Sequence, residues 1–245
     1  MHRLILLSAT YQQTSEAPPD ALRADPENRL LARQNRVRLE GEALRDSLLL
    51  VSEQLNTRVG GPSVLPPIPQ DIVRTSKNWN ASPDATEHDR RSIYIFARRN
   101  LRFPFLEVFD APDSNLSCPE RGQSTTAPQS LTLLNSREVM RAARATAQLL
   151  MKDAADDDAR IRSAFRRILG HFPSRSDRSA ARDFVKTIRA AARPSSGGEA
   201  PAPAPTPTPA NQPSAESTKL MTEPGPEWRE LCRALFNLNE FVYVE

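Results

Sequence analysis

Between Arg90 and Asn135 the chain gathers the residue types that could do chemistry. Asp110 and Asp113 are two acids close in sequence, and a carboxylate pair is what general acid–base work on a glycosidic bond requires. Cys118 stands three residues before Arg121, where a neighbouring cation would favour the thiolate. Arg91 and Arg99 flank the apolar run SIYIFA, and Thr125 and Gln129 complete the polar set. The candidate binding residues are therefore Arg91, Arg99, Asp110, Asp113, Cys118, Arg121, Thr125 and Gln129. The stretch contains no histidine, so covalent catalysis by a serine or cysteine lacks its base. The structural alternative is an ordered loop whose side chains cap backbone groups and a helix end.

Other chemistries fail on spacing. The histidines, His2, His88 and His171, are scattered, and the cysteines, Cys118 and Cys232, allow one disulfide but no framework. There is no Cys-x-x-Cys-His for haem attachment. The run Asp156-Asp157-Asp158 lacks the alternation and distal Glu of a calcium loop. Gly60-Gly61-Pro62 lacks the Gly-Lys-Ser/Thr of a phosphate loop. Neither a metal site nor a cofactor is expected in this chain. Arginines interleaved with aromatics suit single-stranded nucleic acid. The glycines of the RNA-recognition signature are missing, however, and the net charge of the 245 residues is only +3, so nucleic acid is not an expected partner.

Positioning these residues falls to a modest core. Hydrophobic residues make up 38% of the chain, mean hydropathy is -0.54, and there are 22 prolines against 8 glycines. That balance predicts a limited globule with a long unstructured part. The fold class expected is mainly α, a helical domain with a short β element near residues 92–109 and a disordered proline-rich insertion. Ser92–Ala97 is β-rich and reads as a buried strand, with Phe103–Phe109 as an edge partner limited by Pro104. Residues 1–193 form the helical module, 194–226 the Pro/Ala/Thr-rich insertion, and 227–245 a C-terminal helix that packs back on the module.

Within the module, Leu4–Tyr11 reads as a short buried element. Asp25-Pro26-Glu27 reads as a helix start leading to Leu30 and Leu31. Val37, Leu44, Leu48, Val51 and Leu55 share one face of a helix, with Arg36, Arg38, Glu42 and Arg45 mostly elsewhere. Trp79 is the expected anchor of the polar stretch Ile72–Glu87. Val139, Met140, Ala143, Ala147, Leu150 and Met151 mark another helical face. Asp157 or Asp158 should cap the helix carrying Ile161, Phe165, Ile168 and Leu169, and Ser174–Asp177 reads as a capping box. In the tail, Trp228, Leu231, Cys232, Leu235 and Leu238 form an apolar stripe, which makes Cys232 a core residue.

Several of these segments, in this order, resemble a known family. RRSIYIFARRN and FDAPDSNLSCPERGQSTTAPQSLTLLN look like the C-terminal module of large planctomycete proteins, named domain of unknown function 1553. HRLILLSATYQQTS, DPENRLLAR, RLEGEALRDSLL, GGPSV, ILGHFPS and LCRALFNLNEFVYV extend the match over nearly the whole chain outside the proline-rich segment. The resemblance implies an exported parent protein in which this module follows a planctomycete-type cytochrome c domain and associated domains, its expected partners. It also implies that Met1 is an internal start or a truncation. It brings no established active site. Where the family often has Tyr-Arg-Gln-Ser, this chain has Tyr11-Gln12-Gln13-Thr14. The run Leu4–Leu7 is much shorter than a signal-peptide core, and no run reaches membrane-spanning length. Read literally the chain is cytoplasmic; the resemblance implies export or the cell envelope.

Overall fold

The structure, a computed structural model, describes residues 1–75, 79–192 and 223–244. Among these residues the fold is mainly helical. In chain order the elements are α1 (His2–Leu6), α2 (Pro19–Ala24), β1 (Val37–Arg38), α3 (Gly41–Val51), α4 (Gln70–Thr75), α5 (Pro104–Val108), α6 (Ala127–Asn135), α7 (Arg137–Asp153), α8 (Asp157–Ile168), α9 (Arg175–Ala191), α10 (Pro226–Phe236), α11 (Asn239–Val242) and β2 (Tyr243–Val244). Short 3-10 turns lie at Ala85–Asp89 and Ser92–Tyr94. The chain divides into two compact units, Met1–Ala142 with Ala234–Glu245, and Ala143–Arg233. Most of the proline-rich segment, residues 193–222, lies outside the described residues.

In the first unit α3 is the central support. Leu44, Leu48 and Leu49 are buried, each contributing about 1.5–3 kcal/mol by leaving water. Gly41 opens this helix where a Cβ would lie 3.0 Å from the Phe109 Cβ. That close approach seats α3 against the end of α5. Trp79 anchors its stretch as expected: it is buried, its indole N–H donates to the Pro66 carbonyl at 2.7 Å, and its ring stacks on Phe103. The β1 and β2 strands pair antiparallel, Val37 opposite Val244 and Arg38 opposite Tyr243.

Several expectations are corrected here. The sheet is not at residues 92–109. Ser92–Tyr94 is a 3-10 turn, and Ile95 makes only an isolated bridge to Val64. Pro104 sits in the first turn of a helix, where its missing N–H costs nothing, so Phe103–Phe109 becomes α5. Asp25 starts no helix. It follows α2, and its carboxylate accepts from the Arg29 and Leu30 amides in a turn where Asn28 and Leu31 take positive φ. The apolar α1 carries no buried residue. The stripe from Val37 to Leu55 is helical only over Gly41–Val51, with Val37 in β1.

In the second unit the expected faces form. Ala143, Ala147, Leu150, Ile161, Phe165, Ile168, Val185, Trp228, Leu231 and Cys232 are buried. The cap of α8 is Asp156, whose Oδ1 accepts from the Ala159 amide at 2.8 Å, rather than Asp157 or Asp158. Those two acids instead meet α9, Asp157 through Arg189 at 2.8 Å and Asp158 through Arg182 at 2.7 Å. Ser174 and Asp177 form the capping box of α9. Burial pushes the Cys232 thiol up to about 12.

Candidate functional site

Helix α5 ends at Phe109, and Asp110 follows in the left-handed conformation, φ 60°. Aspartate tolerates that region better than most residues, and its carboxylate is then turned to an interior set of donors. Oδ2 accepts from the Ser124 amide at 2.8 Å and from Gln129 Nε2 at 3.1 Å, and Oδ1 accepts from Ser124 Oγ at 2.7 Å. Burial pushes this carboxyl up, but the Ser124 and Gln129 hydrogen bonds outweigh it and hold the pKa below the ordinary carboxylate range. Gln129 is fully buried. Its Oε1 accepts from the Thr126 amide at 3.0 Å while Nε2 also reaches the Val108 carbonyl at 3.0 Å. The arrangement closes residues 110–124 into a loop and caps α6. Arg38 adds a donor to the Ser124 carbonyl and lies over the Phe109 ring.

The other candidate residues are placed apart from this knot. Asp113 accepts from the Asn115 amide and side chain, both at 2.9 Å, a local Asx turn that lowers its pKa. Asn115 in turn donates to the Arg99 carbonyl at 3.2 Å, so Arg99 enters through its backbone and its side chain is exposed. Arg121 Nη1 donates to Glu40 and Glu42, both at 2.9 Å, which pins the loop to the start of α3 and raises the arginine's pKa, the Glu42 hydrogen bond foremost. Cys118 is exposed and donates only to the Glu120 carbonyl. Thr125 is exposed. Arg91 is exposed and lies 3.7 Å from Asp46. Arg91 and Arg121 line a cleft of about 500 Å³ together with Ile93, Phe96 and Arg102. Of the eight candidates, then, only Asp110 and Gln129 are hydrogen-bonded to one another. Among the described residues no group of three or more His, Cys, Asp or Glu side chains could hold a metal ion.

A second cleft, of about 490 Å³, forms among Pro66–Pro69, Phe103–Phe105, His88 and the start of α7. His88 Nε2 faces the Ser82 carbonyl at 2.7 Å and is therefore the donor, which leaves Nδ1 as the acceptor in the neutral ring. Asp89 is bridged by Arg141. Arg45 is buried in its wall. Sequence reasoning missed this site because it assigned Arg45 to the solvated side of its helix. Yet Arg45, Leu48, Leu49 and Ser52 are all buried, and they stand at i, i+3, i+4 and i+7. That spacing was available.

Within one stretch quoted for the family resemblance, Phe109–Asn135, the turn after α5 and the start of α6 are thus tied together by Asp110, Ser124 and Gln129. A family model described as "Protein of unknown function (DUF1553)" matches residues 1–185. The chain belongs to this family. No curated protein and no solved structure matches it. Among the described residues no helix of this DUF1553 domain is long and apolar enough to cross a membrane.

Proposed function

We propose that this DUF1553 domain is a non-catalytic structural or interaction module of a larger exported protein that also carries a c-type cytochrome domain. The observation that supports a non-catalytic role is the fate of the reactive residues. Asp110 spends both oxygens on internal donors, Asp113 closes a turn, and Arg121 holds two glutamates. The reading assigns haem to the neighbouring domain and leaves this one to dock against it. The exposed apolar residues of the N-terminal segment support a docking role: Leu4, Ile5, Leu6, Leu7 and Tyr11 all face solvent. Contiguous apolar exposure is a feature of interaction surfaces.

The alternative, an enzyme acting on polysaccharide through Asp110 and Asp113, gains nothing from the geometry. A general acid needs a raised pKa, and both carboxyls are held low. The test has two parts. The genomic sequence upstream of the first codon, or the parent genes of relatives, should encode Cys-x-x-Cys-His. The purified domain should then co-elute with that cytochrome domain, and Leu4→Asp with Leu7→Asp should abolish co-elution. Regular occurrence of the module without such a neighbour, or no association, contradicts the reading.

A further inference from the structure

We propose that the cleft beside Pro66–Pro69 binds a small organic monocarboxylate with a compact apolar body. Its volume, about 490 Å³, falls within the ~300–1,000 Å³ of small-molecule sites. Pro66, Ile68, Phe103 and Phe105 supply apolar wall for a ring or short aliphatic body.

The charge in the cleft selects the other end of the ligand. Three arginines, Arg45, Arg137 and Arg141, line it against two carboxylates, Asp89 and Glu138. Arg141 is committed to Asp89. Arg45 is buried, yet its hydrogen bonds go to neutral acceptors only: the Arg90 carbonyl at 3.0 Å, the His88 carbonyl at 2.7 Å and Ser92 Oγ at 3.1 Å. The one carboxylate oxygen within 4 Å of it is that of Asp46, at 3.9 Å, and its Nε has no partner at all. Burial disfavours its charged form, and Asp46, Asp89 and Glu138 offset that only through space, none of them hydrogen-bonded to it. Arg137, at the rim, is exposed and makes no ion pair among the described residues. It opens the 17-residue α7, whose N-terminal amides present the positive end of the helix to the same cleft. Glu138 opposes a second negative charge, so the balance favours a monoanion over a phosphate dianion.

The probe pair is 3-phenylpropanoate and its neutral analogue 3-phenylpropanamide, titrated into the full chain and followed by 1H–15N correlation spectra. The reporter is the Trp79 indole N–H, which is bonded to Pro66 in the wall and stacked on Phe103. The acid should shift that resonance saturably and the amide should not. Arg137→Gln, at an exposed position, should keep the rest of the spectrum and weaken the acid by about threefold. Equal binding of the amide, no saturable shift with the acid, or an unchanged affinity in Arg137→Gln overturns the proposal.

Discussion

At the scale of residues, Asp110 shows how a carboxylate that looks catalytic can be structural. Its two oxygens meet three donors, the Ser124 amide, the Ser124 hydroxyl and the Gln129 side-chain amide, and its positive φ ends α5. Asp110→Asn replaces one acceptor oxygen with a donor that faces donors. It should destabilise the domain by about 1–3 kcal/mol, measured by urea denaturation. The pH dependence follows from the direction of the shift. A carboxyl held low in the fold contributes stability above its unfolded value, and that stability is lost as pH falls through the folded value. Asp110 and Asp157 are both held low, so acid should destabilise the wild type, and Asp110→Asn should flatten part of that loss. The two cysteines make a second check. Cys118 is exposed, whereas Cys232 is buried and pushed up to about 12. An aromatic disulfide reagent should titrate Cys118 in the native chain and Cys232 only after denaturation; rapid native reaction of both would contradict the burial.

At the scale of elements, helices with a strong apolar period were legible, because burial enforces the period. Of the face read from Val139 to Met151, Val139, Ala143, Ala147 and Leu150 are buried and Met140 and Met151 half-buried, and the Ser174–Asp177 box formed as read. Ser174→Ala removes the side-chain acceptor of the Asp177 amide and should cost about 1 kcal/mol in thermal or urea unfolding. Short apolar runs were not legible. SIYIFA has the composition of a strand, but its neighbours offer only the Val64 bridge, and Phe103–Phe109 turned helical around Pro104. Asp25-Pro26-Glu27 carried helix-start chemistry, yet Asp25 spends its oxygens on a turn. Local preference there lost to the partners the fold supplied. Gly41 is a case that only the structure reveals: no sequence signal shows that Phe109 lies against it. Gly41→Val should clash with Phe109 and lower stability by about 1–3 kcal/mol.

At the scale of the whole molecule, the fold class was legible and the site only partly so. The loop from Asp110 to Gln129 was singled out for its polar density, and its structural alternative, capping a helix end, is what Asp110 and Gln129 do. The Arg45 cleft was harder to read: the burial of Arg45 was available from its spacing, but the walls come from five separate stretches of chain, which no single window of sequence joins. The central claim is that the polar loop of this DUF1553 domain fastens the fold rather than carrying out a reaction. A double-mutant cycle of Asp110→Asn and Ser124→Ala, read by urea denaturation, tests it most directly. The account predicts a coupling energy of about 1 kcal/mol or more between the two positions. Full native stability in both single variants, with no coupling, would contradict it.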